Sequence, residues 1–472
     1  VTTATDKADL DRALQRLCHA RSRWVARTFR EKVALLDEVR RRVASVGREW
    51  VDVVSAIKGV HPQSPEAGEE WFGLAFLLRG IRLLREAFED LSTDRPPRLP
   101  GPVRALPCCG LAVAVFPDCT ADRILFPGTS IEIWTEPGVT PDILATEPWL
   151  RCTASRLGKT TLVLGAGNVA MHGPLDVLER LFRDCTAVVY KPHPLLDDLT
   201  PLLTSIFQPL IDDGCLAIVS GGAREGEYLV QHDLVDEWHL TGSATTYEAI
   251  MFGKEGGVTP GAPARVRRTT KPFTCELGGV NPVIVVPGPW SASDLAFQGE
   301  HLAGMQVINA GYTCLAPRVI VQHASWSERP RLLDEIRWSL ARTPRRKAFY
   351  PGARDLHWSF VEAHPDAEFF GEPVEGSLPW TLIAGVDPAR EDDPCFRREA
   401  FGPLFAEAGI EARDVPEYLE RAVRFANDVL RGSLTATILV HPSSLRDPDV
   451  AHAVERAVVE LRYGTVGVNA WG

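Results

Sequence analysis

The sequence has no C-x-x-C pair among its ten cysteines, no apolar run close to a membrane span, no internal repeat, no low-complexity tract and no excess of basic charge. Each absence narrows the field. Scattered thiols without paired spacing suggest neither a zinc ribbon nor a disulfide framework, so reduced cysteines, a cytoplasmic setting and no metal are the expectation. Without about 18 consecutive apolar residues, no membrane-spanning helix is expected. With 51 lysines and arginines against 62 aspartates and glutamates, a net charge of −11, the chain is a poor candidate for wrapping nucleic acid or an anionic membrane. Small-molecule chemistry is the better expectation. The 472 residues, 45% hydrophobic and 24% charged, have the composition of a folded globular protein. At roughly 100–200 residues per domain they suffice for two to four folding units.

Up to about residue 91, Leu35, Val39 and Val43, then Leu74, Leu77, Leu78, Ile81 and Leu84, recur with helical period between charged faces and predict a helical block. Pro96, Pro97, Pro100, Pro102 and Pro107 then predict an extended connector reaching Gly110. From Thr160 to Ser243, β-rich runs at 161–164, 187–190, 216–219 and 237–240 alternate with helical stretches. That order predicts a parallel, doubly wound sheet with a nucleotide site at the carboxyl ends of its strands. After a loop at 253–271, the same texture returns in strands near 282–286, 318–322 and 435–440 and helices near 292–308, 328–340 and 415–427. The fold class is therefore α/β: two doubly wound domains behind a helical N-terminal block.

Four groups of residues stand out. Gly165-Ala166-Gly167-Asn168-Val169-Ala170 follows a strand and precedes a helix, as a G-x-G-x-x-G/A dinucleotide fingerprint should, but the next strand ends in Lys191-Pro192 where an acidic residue would bind ribose. Those glycines stay open between a phosphate cradle and a turn with another task. Asn309-Ala310-Gly311-Tyr312-Thr313-Cys314 sets a thiol just after a glycine turn. Glu276-Leu277-Gly278-Gly279-Val280-Asn281-Pro282 places a carboxylate beside glycines that let backbone approach a ligand, and Glu399-Ala400-Phe401-Gly402-Pro403 pairs a carboxylate with an aromatic ring. Any one of them is weak; a lone Glu is usually a solvated charge.

Taken in this order, with Lys191-Pro192 and Thr241-Gly242-Ser243 upstream, the motifs resemble the aldehyde dehydrogenase superfamily, in a divergent bacterial-type form. The resemblance implies a Rossmann-like nucleotide-binding domain with the N-terminal helices over 1–275, a catalytic domain over 276–462, and the start of a return segment over 463–472. It implies NAD or NADP as cofactor, an aldehyde substrate, and a homodimer or homotetramer. Cys314 takes the role of nucleophile, Asn168 that of oxyanion donor beside the Cys314 N–H, and Glu276 that of the base that activates water. Lys191 resembles the lysine that binds the adenosine ribose, Ser243 is placed to cap a helix beneath the pyrophosphate, and Glu399 resembles the nicotinamide-ribose anchor with Phe401 beside the ring. Gly222, Gly226, Gly242 and Gly278 line the cofactor by the same resemblance. Gly165 to Asn168 then becomes an active-site turn.

His193-Pro194 stands where many members have a small residue and a ribose-binding Glu, so tolerance of NADP is expected. The residues before Asn168 are Ala166-Gly167 and not Pro-Trp, and the segment 108–148, with the Cys108-Cys109 pair read as structural, has no counterpart in the resemblance. The final residues Gly464 to Gly472 resemble a point inside the family's chain, so a C-terminal truncation with an unpaired sheet edge or apolar groove is expected. Two other readings are kept open. One is a CoA-acylating dehydrogenase or acyl-CoA reductase; the other is a non-catalytic scaffold of the same fold.

Overall fold

The computed structural model describes residues 4–106, 110–144, 158–253 and 266–472; Cys108, Cys109 and 145–148 lie outside them. The chain divides into two compact units, Val1–Val54 with Glu70–Cys275, and Ser55–Glu69 with Glu276–Gly472. The stretch Ser55–Glu69, inside the predicted helical block, thus belongs to the second unit.

The first unit begins with helices Lys7–Ala26 and Phe29–Ser45, and Gly68–Leu91 follows. Their starts are chemically marked. Asp6 accepts from the Asp9 N–H at 2.7 Å, and Thr28 with Glu31 forms a capping box. Leu10, Leu14, Leu17 and Trp24 of the first helix, and Leu36, Val39 and Val43 of the second, make the buried faces. The predicted connector contains a short strand, β1 (Val103–Ala105), which pairs antiparallel with β2 (Leu111–Phe116), itself paired with β3 (Ile131–Trp134). Periodicity missed this small sheet because β3 lies exposed along its length and carries no buried face to read.

The nucleotide-type sheet consists of β4 (Thr160–Leu164), β5 (Ala187–Lys191), β6 (Leu216–Ile218), β7 (Glu237–Gly242) and β8 (Phe273–Leu277), in the order β6-β5-β4-β7-β8. The pairs β4–β5, β5–β6 and β4–β7 are parallel. β4 and β5 are buried at every residue, as strands covered on both faces must be. The chain leaves β4 toward β5 and β6, then returns to the other side of β4 as β7. This reversal is a topological switch point; Lys191 and Gly242 end their strands there, and Asn168, Gly222, Gly226 and Ser243 follow theirs.

The second unit holds a seven-stranded sheet in the order β11-β12-β13-β10-β9-β14-β15. Its strands are β9 (Asn281–Val285), β10 (Pro317–His323), β11 (Glu368–Phe370), β12 (Trp380–Ile383), β13 (Leu404–Ile410), β14 (Thr435–Leu439) and β15 (Thr465–Val468). All neighbours are parallel except β11, which runs against β12. Alternation divides the core into two layers. Val283 and Val285 join Ile320 in one apolar cluster, while Ile284 joins Val319 and Val321 in the other. Helices Ala292–Val307 and Arg329–Arg342 cover the first layer; Val415–Asp428 and Pro448–Glu460 cover the second. The residues from Gly464 onward, expected to open a return segment, place β15 beside β14 at the edge of this sheet.

Candidate active site

In the second unit, helix Ala292–Val307 runs into a tight turn over Ile308–Gly311. Asn309, Ala310 and Gly311 follow one another with φ of 51°, 55° and 80°. For the two L residues this left-handed conformation costs about 1–2 kcal/mol each. Local bonds hold it. Asn309 Nδ2 donates to the Tyr312 carbonyl at 2.8 Å, and the Asn309 N–H donates to Glu69 at 3.1 Å, a carboxylate gripped in turn by Arg346 at 2.6 Å. Gly311 is required by space as well as by φ, because a Cβ there would sit 2.4 Å from the Gly402 carbonyl oxygen.

Two side chains that the sequence reading gave no role complete the frame. The fully buried guanidinium of Arg318, on β10, donates to the carbonyls of Gly311 (2.9 Å), Thr313 (3.1 Å) and Gly402 (2.9 Å). It thereby ties the cysteine turn to the Glu399–Pro403 loop. Asn281 donates to the Cys314 carbonyl at 2.6 Å and to that of Ala316 at 2.9 Å, so the last polar residue of the Glu276–Pro282 motif clamps the backbone of the thiol. Arg318 had one visible signal, a charge heading an otherwise apolar strand.

The sequence-predicted residues of this unit come together around that frame. Cys314 is half-buried, and its thiol is pushed up to about 12 by burial, then by the negative charges of Glu276 and Glu399. Glu399 is raised to about 7 by burial, with Arg318 opposing. Its carboxylate lies over Gly278, where a Cβ would meet Glu399 Oε2 at 2.1 Å, which is the reason for glycine at that position. Phe401 packs against Tyr350 at 4.8 Å and Tyr312 at 5.9 Å, in an aromatic cluster beside the turn.

The first unit groups its own predicted residues. Lys191 is buried and its pKa is lowered by burial, against the charges of Asp197 and Glu225. Gly226 approaches it, with a hypothetical Cβ 3.5 Å from Lys191 Cε, and the Gly222 N–H donates to Glu225 at 2.7 Å. Ser243 caps helix Ala244–Phe252 by accepting from the Thr246 N–H at 3.1 Å, directly after Gly242. Asn168 is buried in the turn past β4. The glycines of that turn have a packing explanation. A Cβ on Gly165 would meet Tyr190 at 2.9 Å and one on Gly167 would meet His193 at 2.4 Å, so both make room for the neighbouring strand. Packing alone therefore accounts for both glycines. His193 itself is held neutral, its pKa lowered to about 4 by burial and the nearby lysine.

A buried acceptor, Glu399 Oε1, has no hydrogen-bond partner among the described residues, as an anchor awaiting a ribose hydroxyl would. Lys191 and the capped start of helix Ala244–Phe252 offer cationic and amide donors suited to a dinucleotide. Within each unit the residues present suit such a cofactor.

Residues 180–337 match the model of the aldehyde dehydrogenase family. Human 4-trimethylaminobutyraldehyde dehydrogenase is 28% identical over 310 residues, covering 60% of this chain and 55% of the human protein, and human aldehyde dehydrogenase family 3 member B1 is 24% identical over 278 residues, covering 56% and 53%. The chain thus spans about half the length of the curated relatives it matches. Among solved structures, lactaldehyde dehydrogenase from Escherichia coli superposes with a TM-score of 0.69 at 16% identity, covering 99% of this chain and 84% of that one. Aldehyde dehydrogenase C from Pseudomonas syringae, solved with NAD+ and octanal, gives 0.70 at 16% identity, covering 100% and 83%. Over the matched region the chain is similar to aldehyde dehydrogenases, and its fold is that of the solved aldehyde dehydrogenases it superposes on.

Proposed function

We propose that the chain catalyses the NAD(P)-dependent oxidation of an aldehyde to a carboxylic acid through Cys314. The observation that carries this reading is the meeting of Cys314, Glu276 and Glu399 around a left-handed turn fixed by Arg318 and Asn281. The thiol rests protonated between two carboxylates and becomes a nucleophile only when positive charge arrives. When bound, an oxidised nicotinamide supplies that charge and accepts the hydride that leaves the substrate carbon. Cys314 Sγ attacks the aldehyde carbonyl to form a thiohemiacetal, whose oxyanion is the proposed partner of the Cys314 N–H and the Asn168 amide. One such donor contributes about 2.7–4 kcal/mol to the transition state. Glu276 then takes a proton from water as it attacks the Cys314 thioester, releasing acid and restoring the sulfur. Glu276 beside the sulfur favours water over coenzyme A as acceptor.

In the same reading Lys191, Ser243, Glu399, Gly222, Gly226, Gly242 and Gly278 hold the cofactor. Asp197 and Glu225 act electrostatically on Lys191. That negative charge favours NAD over the NADP tolerance expected from His193-Pro194, and kcat/KM for the two cofactors distinguishes them. Cys314→Ala is expected to abolish aldehyde-dependent nicotinamide reduction while NAD(P) binding, read by fluorescence titration, persists. Turnover at the wild-type rate in that variant, or product formed only with coenzyme A, refutes the reading.

A further inference from the structure

Away from that site, but in the same unit, three donor side chains converge: His364, at the C-cap of helix Ala353–Ala363, and Asp393 and Cys395, at the start of the short helix Pro394–Arg397. His364 Nε2 lies 3.0 Å from Asp393 Oδ1 and 3.5 Å from Cys395 Sγ, and one ligand atom from each residue falls within 4.8 Å of the others. In a tetrahedral zinc site, with Zn–S of about 2.3 Å and Zn–N or Zn–O of about 2.0–2.1 Å, nitrogen and sulfur are separated by roughly 3.6 Å and nitrogen and oxygen by roughly 3.4 Å. The observed separations need only a few tenths of an ångström of adjustment.

The second observation concerns Asp393. Its side chain is 1% exposed, and no lysine or arginine among the described residues lies within ion-pair distance. Oδ1 accepts from the Cys395 N–H at 2.9 Å, whereas Oδ2 is buried without a partner. A carboxylate in that setting is costly unless a cation meets it. The contrast with the other His/Cys/Asp/Glu cluster is direct. At Asp118, Cys119 and Asp122 the carboxylates are already taken by Arg79, at 3.2 and 2.8 Å, and by Arg82, at 2.8 Å.

We propose that His364, Asp393 and Cys395 bind a borderline-soft divalent cation of the zinc type, with a fourth position open to water beside the partly exposed imidazole. Nitrogen, oxygen and sulfur donors together suit zinc better than magnesium or calcium, which take oxygen alone. Binding replaces the Cys395 S–H proton by the metal and releases it to solvent; no oxidation is involved. Cys395 precedes Glu399 by four residues, so the ion would pin the chain that leads into the Glu399–Pro403 loop.

The test uses the intact chain, stripped of metal with a chelator and titrated with Zn(II), then with Co(II) as a spectroscopic probe. One equivalent is expected, with a thiolate-to-cobalt charge-transfer band. Both persist in Cys314→Ser, which excludes the active-site thiol. Affinity falls at least tenfold in His364→Gln, a change at the partly exposed rim that leaves the core intact, and the band disappears in Cys395→Ser. No stoichiometric binding to the wild type, a band that survives His364→Gln at full affinity, or a band lost in Cys314→Ser overturns the proposal. In that event the three side chains form only a hydrogen-bonded cluster.

Discussion

Replacing Arg318 with methionine should loosen the turn that presents Cys314 and destabilise the chain at the same time. Methionine keeps most of the buried volume, so the change isolates the loss of three donors. The Gly402 carbonyl retains the Gln306 Nε2 donor at 2.9 Å and the Thr313 carbonyl retains the Ala316 N–H at 3.2 Å, but that of Gly311 loses its guanidinium partner. A buried carbonyl left unsatisfied costs about 1–3 kcal/mol, and two further hydrogen bonds are lost with it. Burial opposes this, since it lowers the guanidinium pKa to about 10 even with Glu399 nearby, and a neutral side chain escapes that desolvation. The net loss is expected at about 2 kcal/mol. At roughly 2–4 °C per kcal/mol for a unit of this size, Tm falls by roughly 4–8 °C. Calorimetry gives the Tm, and steady-state kinetics below the transition gives kcat, which is expected to drop because the thiol is no longer held against its neighbours. A variant with Tm within about 2 °C of wild type and unchanged kcat refutes Arg318 as the frame of the site.

Two further perturbations read the same region. Asn281→Ala removes the donors to the Cys314 and Ala316 carbonyls; kcat should fall at least tenfold while cofactor affinity is kept, and an unchanged kcat argues against a positioning role. Glu399 is raised from an ordinary 4.5 to about 7. The folded chain therefore binds the extra proton between those values, and wild type should lose stability on the order of 2 kcal/mol relative to Glu399→Gln as pH rises from 5 to 8. Urea midpoints at the two pH values check this, and parallel pH profiles for the two proteins would sink it.

Much of the fold was legible because it rests on local, repetitive signals. The β-rich runs at 161–164 and 187–190 became β4 and β5 because parallel strands covered on both faces need unbroken apolar sequence. Strand β3 was not legible, since its exposed residues give no buried alternation. The site divides in the same way. Cys314, Glu276 and Glu399 were recognisable by type and motif, whereas Arg318 acquired a role only once its carbonyl partners from two distant loops surrounded it.

The absence of C-x-x-C led to the expectation of no metal, and the separation of 364 from 393 and 395 shows why spacing could not address the question. Donors brought together by a helix end and a loop leave no periodic trace. The sequence alone determined the α/β pattern, the acidic balance and the chemical identity of the reactive groups, because these depend on residue type and short-range order. Tertiary structure decided which carboxylate is driven to titrate near neutrality, why Gly165, Gly167 and Gly278 must be glycine, and which polar atoms are left buried without a partner. Those properties come from desolvation and close approach between residues far apart in the chain, and both exist only once the chain has packed.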